Sequence, residues 1–220
     1  NAEGGVSIRA TRVAGLKVDG VLDDEAYSSV LPVTDFVQQD PAEGQPATEK
    51  TEAGMLVDDQ NLYVSARCWD SHPERDVANE MRRDSNNIFQ NENFTFTLDT
   101  FMDRRNGFGF YANKLGGMID VAITDERDRN VDWNAVWSVR TATFEGGWTV
   151  EFAIPFKSLR YAPGREQVWG MNLRRIVRWK NELSFVSFVP SYLGIGGILS
   201  LSRSGTLYGL EVPPPGLNLD

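Results

Sequence analysis

The side chains with chemical potential in this sequence are six tryptophans and a run of acids. Aromatic rings stack on the flat C–H faces of sugar rings, while amide and charged groups take the hydroxyls. Trp179 stands among Arg178, Lys180, Asn181 and Glu182 and is the first stacking candidate. A cation–π contact with a neighbouring arginine is the plain structural alternative for that ring. Trp133 and Trp137 flank an acidic loop and come next, whereas Trp69, Trp148 and Trp169 lie in patterned runs and are expected in the core.

Asp120, Asp125, Glu126, Asp128, Asn130 and Asp132 offer oxygen ligands at close spacing. Within them Asp125, Asp128, Asn130 and Asp132 are the candidate metal set. Alternate residues from Asp128 to Asp132 point oxygens at one centre, as in a calcium loop, although the central glycine and terminal glutamate of the twelve-residue pattern are missing. Arg127 and Arg129 could equally neutralise these acids as surface pairs. Asp58-Asp59 is a weaker metal candidate, because aspartate is also an ordinary turn residue. Arg104 and Arg105 beside Asp99 and Asp103 make either a clamp for hydroxyls and carboxylates, with Arg105 as its binding residue, or a salt-bridged hairpin end. Glu151, alternating with Val150 and Phe152, is expected to be buried with an arginine partner.

Bond-breaking chemistry has little to work with. The single histidine, His72, lies before Pro73 in a polar segment with no nucleophile motif nearby. A glycosidase needs two carboxyls about 5 to 10 Å apart, and no spacing selects such a pair. Gly194-Ile195-Gly196-Gly197 leads into no helix, so it is not a phosphate loop. The net charge of −9 argues against nucleic acid and weakly against anionic membrane surfaces. No apolar run approaches the length of a membrane span. Asn1–Gly5 does not read as a signal peptide, so the sequence is expected to be a mature or excised piece. The one cysteine, Cys68, cannot form an internal disulfide and is expected to be a small buried apolar residue.

The elements that must position these groups are strands. Phe94 to Leu98 alternates, a charged corner follows, and a second alternating run begins at Phe108, with Asn106-Gly107 suited to a tight turn. Further strands are expected at 12–21, 34–38, 48–57, 62–69, 118–124, 136–145, 148–154, 168–180, 183–189 and 206–211. Asp23 or Asp24 caps a short helix through Ser29, and residues 155–159 make one helical turn. The fold class is therefore all-β: an antiparallel β-sandwich of immunoglobulin or jelly-roll kind, with one or two short helices. One domain is expected over residues 1–211, followed by a proline-rich linker over 212–220.

Three segments in order resemble carbohydrate-binding module family 9: Val18 to Tyr27, Asp58 to Val64, and Trp148 to Phe156. The 94–111 hairpin, with Trp133–Trp137 and Arg178–Glu182, resembles a bacterial subgroup, the N-terminal domain of large proteins that often carry a membrane-barrel-like region after it. The resemblance covers about Val13 to Leu210. It implies a saccharide-binding sandwich without catalysis, often beside a structural calcium ion. It also implies an exported polysaccharide-handling protein, either periplasmic, outer-membrane-associated or secreted. In such members two aromatic side chains clamp a terminal sugar and a strand carboxylate receives its hydroxyls. The matching positions are Phe89 and Trp179 for the clamp, Asn172 for an amide, and Thr95 for the carboxylate. Thr95 departs from the pattern. Two rival readings stay open beside sugar binding: an interaction domain that keeps only the fold, and part of a glycoside hydrolase.

Overall fold

Period-two patterning yields thirteen strands joined by short 3-10 turns in the computed structural model, which describes residues 5–214. The first seven are β1 (Ser7–Arg12), β2 (Val37–Asp40), β3 (Thr51–Val57), β4 (Asn61–Trp69), β5 (Asn93–Asp99), β6 (Gly107–Asn113) and β7 (Met118–Thr124). The rest are β8 (Asp128–Asn130), β9 (Ser138–Phe144), β10 (Gly147–Pro155), β11 (Glu166–Val177), β12 (Glu182–Phe185) and β13 (Gly205–Glu211). They form one curled sheet in the order β8-β7-β6-β5-β11-β13-β1-β3-β4-β10-β9, with β12 beside β11 and β2 beside β12.

The strand β1 turns the sheet into two layers. Its first half pairs with β13 and its second half with β3, both in parallel, whereas every other strand pair is antiparallel. Phe94, Phe96, Phe110, Phe152, Trp148, Trp169 and Leu173 fill the space between the layers. Both outer faces are covered as well. The segment Ser191–Arg203 lays Ile198, Leu199 and Leu201 over Tyr111, Val121 and Ile176 on the first layer. Residues 13–30 cover Leu56 and Tyr63 on the second. This double cover leaves β5 without one exposed residue.

Several local expectations change. The strand expected over 12–21 ends at Arg12, because Val13, Leu16 and Val18 leave the ladder to cover the second layer. The short helix is a 3-10 turn, Glu25–Ser29, and Asp24 at its start makes no side-chain cap bond. Asp128–Asn130, expected as loop, pairs with β7 as an edge strand. In the 94–113 hairpin the positive φ angles fall at Met102 (54°) and Arg104 (61°), not at Asn106-Gly107. There the Asp99 and Asp103 carboxylates accept backbone N–H bonds from Arg104, Arg105 and Asn106. Gly107 is required for another reason: a Cβ would sit 2.1 Å from the Leu98 carbonyl oxygen.

Glu151 is buried without an arginine. It accepts the N–H groups of Asp19 and Gly20 and the Tyr27 hydroxyl, at 2.6–2.9 Å, and so ties residues 13–30 to β10. Cys68 is wholly buried, and burial pushes its thiol up to about 11. No helix of the described residues is long and apolar enough to cross a membrane. At the end of β13, Val212 is buried and Pro213 accepts a hydrogen bond from the Tyr161 hydroxyl at 2.9 Å. The 215–220 part of the expected linker, and residues 1–4, lie outside the described residues.

Candidate functional site

Where the cover meets the first layer it leaves a cavity of about 410 Å³. Its aromatic wall is Phe89, from the 3-10 turn Asn86–Gln90, set edge-to-face on Tyr111 of β6 at 5.4 Å. Alternation along β11 turns Arg174 to the same face as Tyr111 and Thr95. Its guanidinium is wholly buried, 5.7 Å from the Tyr111 ring centre. It donates to the Ile195 carbonyl at 2.7 Å and to the Thr95 hydroxyl at 3.1 Å, while Nε has no partner. Burial lowers its pKa to about 10, so it stays charged at neutral pH. The pairing of β8 on β7 brings Arg129 to the cavity rim, where its guanidinium stands 5.4 Å from the Phe89 ring centre. Stacking, cation–π contact and guanidinium hydrogen bonding therefore converge on one opening.

A second group lies at the start of β5, on the other side of the strand pair. Asp70, Asp76 and Glu92 each offer an oxygen within 4.8 Å of the others. Asp70 accepts the His72 N–H and the Trp179 indole N–H; Glu92 Oε1 accepts the Arg178 N–H at 2.6 Å. Lys114 pairs with Asp76. Glu92 Oε2 and Asp76 Oδ1 are buried with no partner. Burial, then repulsion from Asp76, pushes the Glu92 carboxyl up to about 7. Burial likewise raises Asp76, with Lys114 opposing. Orphaned carboxylate oxygens around one centre suit a hard cation.

The residues singled out from sequence are dispersed by this geometry. Phe89 lines the cavity. Trp179 does not, because its indole serves the acidic group and its ring is taken by Arg75 at 5.3 Å and Lys180 at 4.9 Å, the cation–π alternative. Trp137 is 7% exposed, stacked on Phe152, with its indole N–H on Asp120, so it presents no ledge. Trp133 lies face to face with Phe108 at 4.7 Å against the core. Asn172 is buried, and its amide holds the Ser187 backbone at both N–H and C=O. Arg105 sits at the hairpin end on Asp125, which favours the structural reading of that corner.

The candidate metal set is not gathered either. Asp125 is taken by Arg105, Asn130 accepts the Asp132 N–H, and Asp128 and Asp132 are exposed. Edge pairing in β8 spreads these side chains, whereas the loop after β4 folds back to bring Asp70 and Asp76 to Glu92. Among the described residues the Asp70, Asp76 and Glu92 group is the one cluster of this kind. Sequence reasoning missed it, along with Tyr111 and Arg174. The available signals were an acid directly after a strand and a charged pair, Arg174-Arg175, set between the apolar residues Leu173 and Ile176 of one strand.

Comparison with known proteins follows the same lines. The sequence profile described as "Carbohydrate family 9 binding domain-like" matches residues 18–177. A curated relative, endo-1,4-beta-xylanase A of Thermoanaerobacterium saccharolyticum, is 27% identical over 167 residues, covering 75% of this chain. The match spans only 13% of that xylanase. A family 9 carbohydrate-binding module from Caldicellulosiruptor kristjanssonii, solved with cellotriose, aligns over 98% of this chain and 97% of its own with a TM-score of 0.66 at 15% identity. A Bacteroides uniformis protein described as a putative carbohydrate-binding protein aligns over 96% of this chain and 100% of its own, with a TM-score of 0.72 at 11% identity. At these identities the structural likeness is one of fold.

Proposed function

This chain belongs to the carbohydrate family 9 binding domain-like family, and we propose that it binds a saccharide, without cleaving it, in the cavity between Phe89, Tyr111 and Arg174. The observation that carries this reading is a half-buried aromatic wall facing a buried, still-charged guanidinium across one opening. The sugar face lies on Phe89, and the hydroxyls or ring substituents meet Arg129 at the rim and Gln90 and Asn86 beside it. The test is calorimetric titration with a panel of oligosaccharides against the protein and Phe89→Ala. Saturable binding lost in that variant supports the reading. A panel with no binder at all returns the domain to the rival interaction role, which the hydroxyl of Thr95 in place of a carboxylate favours.

We also assign calcium, as a structural ion, to Asp70, Asp76 and Glu92. Three oxygen donors, two of them with an unpartnered buried oxygen, fit a hard cation, whose charge would offset the burial, and the lesser repulsion from Asp76, that raise Glu92. Melting with and without a chelator tests it. We further propose that this domain serves an exported bacterial protein of polysaccharide use, either periplasmic, outer-membrane-associated or secreted; the xylanase relative supports the polysaccharide part of that reading. A membrane-barrel region beyond residue 220 belongs to the same proposal. Cell fractionation of the whole protein tests the location.

A further inference from the structure

The chain has 31 acids against 22 lysines and arginines, yet no acid lines the cavity. Among the described residues, neither Arg174 nor Arg129 has a carboxylate within 4.0 Å. A buried guanidinium without an anion is costly, because its lost hydration is returned only in part by the Ile195 carbonyl and the Thr95 hydroxyl. The Arg174 Nε hydrogen has no acceptor at all. Hydroxyls alone would leave that charge unanswered; an anion would neutralise it.

The basic character continues beyond the cavity. A neighbouring hollow of about 420 Å³ shares Gly196 and Leu199 with it and carries Arg127 and Arg203. Its one acid, Glu126, is engaged by the Ser202 N–H at 2.8 Å. Tyr192, 76% exposed, stands there as an open ring whose hydroxyl accepts from Arg203 at 3.2 Å. Gly196, shared by the two hollows, leaves space there: a Cβ placed on it would meet nothing within 4 Å. A chain of sugars can cross there with a ring against Phe89 and another against Tyr192.

Building on the saccharide reading above, we propose that the occupant is an acidic saccharide, with a carboxylate or sulfate ester drawn to Arg129 at the rim and to the field of Arg174 at the floor. Complementarity of this kind discriminates between partners as well as attracting one, since a neutral sugar leaves the guanidinium uncompensated.

The experiment is calorimetric titration of the protein with four probes: an oligogalacturonate, its methyl ester, a sulfated oligosaccharide and a neutral cello-oligosaccharide. Methyl esterification removes the charge and keeps the rings. The expected result is about tenfold weaker binding of the ester than of the free acid, the size of one charge-assisted hydrogen bond. Arg129→Gln, at an exposed position, should narrow that gap by weakening binding of the free acid more than binding of the ester. A stronger sulfated probe than uronate would assign sulfate as the anion. Ester and acid binding alike, or acid binding indifferent to Arg129→Gln, would overturn the acidic-ligand proposal. If the neutral probe still binds in a Phe89-dependent way, carbohydrate binding in this cavity survives that failure. If no probe binds, both readings fall.

Discussion

Neighbouring residues of β11, Arg174 and Arg175, are both wholly buried, on opposite faces of the strand, and the protein treats them differently. Arg175 donates to the carbonyls of Lys50 and Trp69 and to the Thr51 hydroxyl, and its charge acts on Glu92. Arg174 has two acceptors, an aromatic neighbour and no acid. Each Nε is buried without a partner, but the core-side charge has three acceptors and a nearby acid, whereas the cavity-side charge has two acceptors and no acid. The acidic group at the start of β5 is the mirror case, three carboxyls with Lys114 paired to one of them and Arg175 nearby. On the proposals above, each imbalance is met by a ligand of the opposite charge.

The contrast breaks most directly at Arg175. Arg175→Met removes one donor from each of three acceptors, of which the Lys50 carbonyl keeps the Trp69 N–H, and leaves Glu92 without its nearby cation, so urea unfolding should show a loss of about 3 kcal/mol. A loss below about 1 kcal/mol would erase the distinction between the two arginines.

Titration comes next. Glu92 holds its proton more tightly folded, at about 7, than at its ordinary 4.5. That preference stabilises the fold below the unfolded value and is lost as pH rises through about 7. Chelated protein should therefore lose on the order of 3 kcal/mol between pH 4.5 and pH 7.5. Glu92→Gln should flatten the slope. Calcium at a hundredfold excess over its Kd should raise stability at pH 7.5 by about 2.7 kcal/mol, read as a higher Tm, with no such gain in Glu92→Gln.

Arg174→Met sharpens the comparison from the other side. Replacing an unanswered buried charge by an apolar chain should change stability by less than about 1 kcal/mol while saccharide binding is lost. The smallest effect belongs to Trp179→Phe. It removes one indole N–H from Asp70 and should cost about 1 kcal/mol of stability, with saccharide titration unchanged. Binding lost in Trp179→Phe would restore Trp179 as a stacking residue.

Strand identity was largely legible because alternation and turn chemistry are local. The 118–124 strand and the turn after Val57 follow from residues within a few positions of each other. Which aromatics face solvent was not legible, because it depends on what covers each layer. Trp137 looks loop-borne in sequence, yet Asp120 and Phe152, from two other strands, draw it inward. Ser191–Arg203 reads as a glycine-bearing connection, and only in three dimensions does it roof Tyr111 and Arg174. The metal candidates failed for the same reason. Close spacing in Asp125–Asp132 does not gather oxygens on an edge strand, while Asp70 and Glu92, far apart in sequence, meet through folding.

The double allegiance of β1 sets a schedule for the newborn polypeptide. Ser7 has its partner in Thr206, whereas Ala10 has its partner in Met55. On a ribosome the second half of that ribbon can zip early, but its first half must wait until nearly the whole domain has been made. Until then a short edge stays open to strangers, and contacts so distant along the chain make for slow closure.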